Sequence, residues 1–236
     1  MLFCANLAQL FKDIPIEERF ARAAEAGYQT VDIPAPYDVN VQEIINHLSW
    51  NSLRLASLPC PPPNYTGGAP GCPATPGMEA RFQRDVKRAL LYAKTLKVMH
   101  VRLVLPQVED IENTSILKKN LTWAATQAGA QILTLSDTAV RGGPNADQHH
   151  PVRLARLIDE IAAPNLRLVL EAQAITQQGE NLVALWPELK PHVGHVNLTA
   201  DDGVEHAEMA AFLTVLQKAR FAGTVTTTAP PVIEEK

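Results

Sequence analysis

The sequence of 236 residues predicts an α/β fold, a single (β/α)8 barrel, from three observations. Short apolar runs alternate about eight times with longer segments of helical periodicity. Several of these runs, such as 166–170, are apolar at nearly every position, as expected of parallel strands covered by helices. No GxGxxG fingerprint follows a strand, which disfavours an open dinucleotide-binding sheet. We therefore expect one barrel domain over 1–236.

The elements follow from periodicity and from helix start and stop signals. The segment 15–27 places Phe20 and Ala23 on one helical face, and Gly27 lies where a helix should end. Pro76 precedes a second, longer helical pattern. The predicted strands are 2–6, 30–34, 54–58, 98–103, 131–136, 166–171, 195–199 and 223–228. The predicted helices are 15–27, 40–51, 77–96, 112–128, 150–162, 180–190 and 206–220.

Two connections are long for such a fold. Residues 59–76 contain seven prolines and three glycines, and residues 137–149 include an Arg-Gly-Gly-Pro sequence. Both follow strands, so in a barrel both lie at the carboxyl-terminal face, where active sites form. Each is interpreted either as a lid or binding loop or as a mobile surface loop.

Composition excludes several classes of protein. The 21 basic and 25 acidic residues give a net charge of −4, so no basic surface for nucleic acid is expected. No apolar run reaches the roughly 18 residues of a membrane span, and the first residues lack the basic segment of a signal peptide. We expect a soluble, cytoplasmic protein. The three cysteines favour reduced thiols, although Cys60 and Cys72 could pair under oxidising conditions.

Several motifs resemble the hydroxypyruvate isomerase family of xylose isomerase-like TIM barrels. The strongest similarity lies in the first third of the chain, in ANL at 5–7, ERFARAAEAGY at 18–28 and PYD at 36–38. It continues through PGMEARF at 76–82 and RALLYA at 88–93, and it is weaker at 164–168 and 193–196. The similarity therefore covers nearly the whole chain.

The resemblance implies interconversion of a hydroxyaldehyde and a hydroxyketone. It also implies a divalent metal, Mg²⁺ or Mn²⁺, at the barrel mouth, held by Glu, Asp, Gln and Glu from the last four strands. Two of these acids would transfer the proton between adjacent carbons. A hard cation chelated by substrate oxygens stabilises an enediolate while carboxylates act as base and acid.

These ligand positions are largely substituted in this chain. The first Glu position is occupied by Ser136, the Asp position by Glu171, the Gln position by Asn197 and the last Glu position by Thr228. Hydroxyl groups cannot replace a general base without an activating neighbour. Asp137, one residue beyond Ser136, would substitute for the missing acid only if the strand end shifted.

Further candidates lie on the other predicted strands and loops. His100 and Arg102 alternate, so they share one face, either the barrel interior or the helix layer. Arg102 facing the mouth would suit a carboxylate or phosphate. Asp32 matches an acidic position of the family, and His206 could reach the mouth or remain at the surface. His149 and His150 point about 100° apart on a helix, which indicates exposed residues rather than a metal pair.

Two functions remain open from the sequence. One is an isomerase of a small hydroxy-carbonyl acid or sugar acid, whose rebuilt metal site uses Glu171, Asn197 and Asp137. The other is a catalytically inactive homologue, without metal, that binds a small polar ligand or an active partner. An endonuclease-like relative is disfavoured, because it would need a cluster of metal ligands and a basic surface. Assembly into a homo-oligomer is compatible with either function.

Overall fold

The computed structural model describes residues 1–33, 35–61, 73–105, 114–136, 151–177, 179–199 and 207–228. Strands and helices alternate along these ranges. The strands are β1 (Leu2–Asn6), β2 (Thr30–Asp32), β3 (Arg54–Leu55), β4 (Ser57–Cys60), β5 (His100–Val104), β6 (Ile132–Ser136), β7 (Leu166–Glu171), β8 (Val193–Asn197) and β9 (Thr224–Thr226). The helices are α1 (Ile16–Glu25), α2 (Val41–Trp50), α3 (Glu79–Leu96), α4 (Thr114–Ala128), α5 (Pro151–Ile161), α6 (Ala172–Gln177), α7 (Leu182–Leu189) and α8 (Ala207–Lys218).

The strands form one parallel sheet in the order β3-β2-β1-β9-β8-β7-β6-β5-β4. The two outer segments, β3 and β4, are halves of one strand that is interrupted at Ala56. The Ala56 N–H donates to the Val31 carbonyl at 2.9 Å, and the Ala56 carbonyl accepts from the His100 N–H at 3.0 Å. Hydrogen bonding thus continues across the interruption and joins the ends of the sheet. The fold is a TIM barrel of eight strands, as the sequence predicts.

Alternation along strand β5 separates an apolar outer face from a polar inner face. On β5, Val101 and Leu103 are buried in the apolar core, whereas the His100 ring meets Thr224 of β9. Because β5 and β9 are not neighbours in the sheet, these side chains can meet only inside the barrel. His100 and Arg102 therefore face the interior, the first of the two alternatives left open by the sequence.

Side-chain caps fix where two of the helices begin. Asn40 Oδ1 accepts from the Gln42 N–H at 2.8 Å at the start of α2, and Asn181 Oδ1 accepts from the Val183 N–H at 3.0 Å at the start of α7. Buried side chains then hold each helix on the barrel, for example Ile44 of α2. Among the described residues, none of the helices has the length and apolarity that crossing a membrane requires.

Two glycines allow β8 and β9 to approach closely at the amino-terminal end of the barrel. A Cβ atom on Gly223 would lie 2.4 Å from the Gly194 carbonyl oxygen and 2.4 Å from Cζ of Phe221. Gly194 in turn packs against the Arg167 side chain, where an added Cβ would be 3.0 Å from Arg167 Cβ. Any side chain at position 223 would therefore force the strands apart.

Differences from the sequence-based elements are small. The strand expected at 195–199 is Val193–Asn197, because Val193 pairs with Leu168 of β7. The strand expected at 54–58 extends to Cys60 through its pairing with β5. Helix α6 was not predicted, since its six residues are too few to show periodicity.

Candidate active site at the barrel mouth

A polar cavity of about 240 Å³ opens at the carboxyl-terminal end of the barrel. Four of its lining residues, Asn6, Asp32, Asn197 and Thr226, are the last residues of β1, β2, β8 and β9. Ser57, Arg102 and His195 add further polar atoms to its wall. The cavity therefore lies where active sites of this fold are built.

Asp32 is held in place by the neighbouring strand. Its Oδ1 atom accepts from the Ser57 backbone N–H at 3.0 Å and from the Ser57 hydroxyl at 2.8 Å. Two donors on one carboxylate oxygen fix the orientation of the group. A carboxylate is thus presented at the cavity wall in a defined position.

Arg102 supplies a positive charge to the same cavity. Its Nε atom is buried, and no hydrogen-bond acceptor satisfies it within the described ranges. A buried donor without a partner is costly in the free protein, and such a donor is paired when a ligand brings an acceptor. Arg102 can therefore bind an anionic group that enters the cavity.

Below the cavity, two histidines and two threonines are linked by hydrogen bonds. His195 Nδ1 lies 2.6 Å from Thr224 Oγ1, and His195 Nε2 lies 3.0 Å from Thr226 Oγ1. Thr224 Oγ1 also lies 3.3 Å from His100 Nε2. The chain therefore runs from His100 across the barrel to Thr226 at the cavity wall.

Both imidazoles in this chain are neutral near pH 7. Burial, together with the smaller effect of the nearby Arg102 charge, lowers the pKa of His195 to about 3. Burial, with a smaller contribution from His195, lowers the pKa of His100 to about 4. Each ring thus offers one donor nitrogen and one acceptor nitrogen.

Glu171 and Asn197 are tied to each other on the opposite side of the mouth. Asn197 Nδ2 donates to Glu171 Oε2 at 2.8 Å. Asn197 Oδ1 accepts from both the N–H and the hydroxyl of Thr199, at 3.0 and 2.6 Å. A backbone N–H can only donate, so the orientation of the Asn197 amide is fixed by its partners.

This arrangement does not fit the divalent metal that the resemblance implies. Asn197 Oδ1, the oxygen that would ligate a cation, already uses both of its lone pairs. No group of three His, Cys, Asp or Glu residues that could hold a metal ion occurs in the described part of the chain. Asp137, the third expected ligand, lies outside the described residues.

The remaining sequence-based candidates fall in different places. Ser136 ends β6, and only its backbone is described. Thr228 lies two residues beyond β9 and is half-buried, and it is not among the residues lining the cavity. His206, His149 and His150 lie outside the described residues. The structure therefore brings together Asp32, His100, Arg102, Asn197 and, through Asn197, Glu171.

Asn6, Ser57, His195 and Thr226 line the cavity but were not candidates from the sequence. A signal for two of them exists in the period of two along a strand. His195 shares a face with Asn197, and Thr226 shares a face with Thr224. A polar residue at every second position of a barrel strand identifies the interior once one member is placed.

Sequence comparison finds curated relatives that are named as isomerases. It is 29% identical over 209 residues to the 2-oxo-tetronate isomerase of Pectobacterium atrosepticum, covering 84% of this chain and 78% of that protein. It is 24% identical over 204 residues to the hydroxypyruvate isomerase of Escherichia coli, covering 83% and 78%. The chain is a relative of these isomerases. No family model matches it.

Solved structures support the fold of this isomerase relative. A protein from Brucella melitensis titled AP endonuclease, family 2, superimposes with a TM-score of 0.82 at 22% identity, covering 98% of this chain and 94% of that one. The D-allulose 3-epimerase of Methylomonas sp. gives 0.74 at 17% identity, covering 96% and 83%. At these identities the likeness concerns the barrel alone.

Proposed function

We propose that this chain isomerises a small hydroxy-carbonyl acid by moving a proton between adjacent carbons in the mouth cavity. Relatives named hydroxypyruvate isomerase and 2-oxo-tetronate isomerase support the reaction class. One observation carries the assignment of the site: the cavity that contains the Asp32 carboxylate also contains the Arg102 guanidinium, whose Nε lacks a partner among the described residues.

Arg102 binds the carboxylate of the ligand. Its planar guanidinium matches a carboxylate with two parallel hydrogen bonds, and the charge is delivered at a partly buried position where it is strong. The same contact would satisfy the buried Nε donor. The acid group therefore orients the rest of the ligand toward Asp32.

Asp32 acts as the base that removes the proton from carbon. It lies on the cavity wall, and its Oδ1 atom is fixed by Ser57. A carboxylate held in this way can approach a carbon next to a carbonyl without a reorganisation of its own. Glu171 lies behind Asn197, and it serves in this proposal to orient the Asn197 amide.

The cavity selects for a short ligand. Its volume of about 240 Å³ lies below the roughly 300–1,000 Å³ typical of pockets for drug-sized molecules. A hydroxy acid of three or four carbons matches this size, and the polar wall suits its hydroxyl and carbonyl oxygens. We assign no step to Mg²⁺ or Mn²⁺, since the expected amide ligand is already engaged.

Solvent exchange measured by NMR tests the proposal. The protein is incubated in D₂O with hydroxypyruvate or 2-oxo-tetronate, and the loss of the C–H signal and the growth of the isomer are followed. We expect acceleration for at least one of the acids. Dihydroxyacetone keeps the hydroxy-carbonyl unit but lacks a carboxylate, so it should be accelerated about 10²-fold less. Binding of an acid without exchange would instead identify a non-catalytic binding protein.

We further propose that the reaction takes place in the cytoplasm. A cytoplasmic location is supported by the sparse cysteines, of which the two described, Cys4 and Cys60, are buried free thiols. Gel filtration with light scattering would test the predicted homo-oligomer. A nucleic-acid binding assay would test the expectation, drawn from the net charge of −4, that none is bound.

A further inference from the structure

The hydrogen-bond chain beneath the cavity has a direction. His100 Nδ1 is buried and has no partner within the described residues, whereas His100 Nε2 contacts Thr224. A buried N–H without an acceptor is rarer and costlier than a buried lone pair without a donor. The proton of neutral His100 therefore resides on Nε2 and is donated to the Thr224 hydroxyl oxygen.

The remaining bonds follow from this first donor. The Thr224 hydroxyl, having accepted from His100, donates its own proton to His195 Nδ1, 2.6 Å away. His195 then carries its proton on Nε2 and donates to Thr226 Oγ1 at 3.0 Å. A neutral imidazole has one donor and one acceptor, so each step fixes the next. The hydroxyl proton of Thr226 is consequently directed away from His195.

Thr226 has two places to send this proton. One is the Cys4 thiol, which lies near Thr226 in the barrel interior and is fully buried. Sulfur is a weak acceptor. The other is the cavity, which Thr226 lines. The oxygen of a bound ligand is a stronger acceptor than the thiol and would take the bond.

The Thr226 hydroxyl can stabilise the negative charge that develops on a carbonyl oxygen, a role that a metal ion would otherwise fill. No group of three His, Cys, Asp or Glu residues in the described part of the chain could hold a metal ion, yet an enediolate needs a positive partner for its developing charge. A hydroxyl whose oxygen already accepts a hydrogen bond is a better donor, because hydrogen bonds in a chain polarise one another. Thr226 would supply such a donor at the end of a chain of three hydrogen bonds.

We propose that Thr226 donates a hydrogen bond to the carbonyl oxygen of the bound hydroxy acid and is held in that role by His195 and Thr224. Asp32 takes the C–H proton, and the C–H electron pair forms the C=C bond. The carbonyl electron pair moves onto the oxygen that Thr226 faces. Asp32 then returns its proton to the former carbonyl carbon. The proton of the ligand's own hydroxyl group passes to the former carbonyl oxygen, so the product is an isomer and no oxidant is required.

This inference rests on the proposed function, and variants of Thr226 separate the two. Thr226→Val removes the hydroxyl at nearly constant shape, whereas Thr226→Ser retains it. Thr134→Val is the matched control, because Thr134 is a buried threonine whose hydroxyl has no partner among the described residues and which does not line the cavity. All proteins are treated with EDTA, and thermal midpoints verify folding.

We expect Thr226→Val to bind hydroxypyruvate within a few-fold of the wild type but to exchange its C–H proton about 10²–10³-fold more slowly. Thr226→Ser should recover most of the rate, and Thr134→Val should match the wild type. Wild-type exchange in Thr226→Val would overturn the inference, as would exchange that EDTA abolishes and Mn²⁺ restores. Absence of exchange from the wild type both after EDTA treatment and after addition of Mn²⁺ would instead overturn the proposed function, and the inference with it.

Discussion

The two sides of the barrel mouth hold their carboxylates differently. On the β2 side, Asp32 is braced by Ser57 and reaches the cavity. On the β7–β8 side, Glu171 accepts from Asn197, whose amide oxygen is turned to Thr199. The second side retains the positions that the resemblance assigns to metal ligands, but the Asn197 amide is already hydrogen-bonded to Glu171 and Thr199. A carboxylate at a ligand position of the family is therefore not by itself evidence of a catalytic acid. Its oxygens must also face the cavity.

Exchanging each carboxylate for its amide should reveal this asymmetry most strongly. We expect Asp32→Asn to slow the exchange of hydroxypyruvate protons by about 10²–10⁴-fold, because the base is lost while the acceptor for Ser57 remains. Glu171→Gln should cost less than about tenfold. Initial rates of deuterium incorporation measure both. A larger loss in Glu171→Gln would place the base on the β7 side.

The histidines beneath the two sides make stability depend on pH. Their folded pKa values, about 4 for His100 and about 3 for His195, lie below the unfolded value of about 6.5. The unfolded chain therefore binds more protons below pH 6.5, and the folded state loses stability as the pH falls from there toward 4. Each histidine contributes up to about 1.4 kcal/mol per pH unit.

Urea denaturation between pH 7 and 4.5 measures this slope. His100→Gln should give a shallower decline than the wild type, because one of the two histidines no longer titrates. An unchanged slope in this variant would mean that His100 does not stay neutral in the folded state.

Replacing Arg102 should weaken ligand binding without lowering the stability of the free protein. Arg102→Met is expected to weaken binding of hydroxypyruvate by about 10–10²-fold, since a charged hydrogen bond to the carboxylate is lost. The free protein should not be destabilised, because Arg102 Nε has no partner among the described residues. Calorimetric titration and thermal midpoints test the two halves. Arg156→Met, at an exposed ion pair with Glu188, is the control and should leave affinity unchanged.

A second carboxylate at position 197 should create a cation site on the β7–β8 side of the mouth. Asn197→Asp replaces the donor to Glu171 by a second carboxylate, so we expect a loss of about 1–3 kcal/mol in the free energy of unfolding near pH 7. Mn²⁺ should recover part of it by binding between the carboxylates. Denaturation with and without Mn²⁺ measures the effect. Equal stabilisation of the wild type by Mn²⁺ would show that this side already holds a cation.

Much of the fold follows from the sequence because apolar periodicity reflects burial directly. The outward residues Val101 and Leu103 are aliphatic, and this spacing marks β5 as a strand whatever its surroundings. The same spacing shows that His100 and Arg102 share a face. It does not show which face, since a period of two is identical for the barrel interior and for the helix layer.

The site was harder to predict, because the resemblance directs attention to positions rather than to contacts. It points to Thr228, whereas Thr226, two residues earlier, lines the cavity. The predicted strand 195–199 already places His195 on one face with Asn197, but the resemblance assigns a ligand to position 197 and none to position 195. Contacts between strands that are distant in sequence, such as His100 with Thr224, require the closed barrel.

The close packing of β8 and β9 at Gly223 also affects residues beyond the amino-terminal end of the barrel. Strands of a barrel are nearly rigid, and Asn197 and Thr226 are paired across β8 and β9 above the point where Gly223 meets Gly194. A single methyl group added at position 223 would push β8 and β9 apart, and we expect the shift to extend along both strands to the mouth. We therefore expect Gly223→Ala to change the geometry of the cavity, although position 223 does not line it.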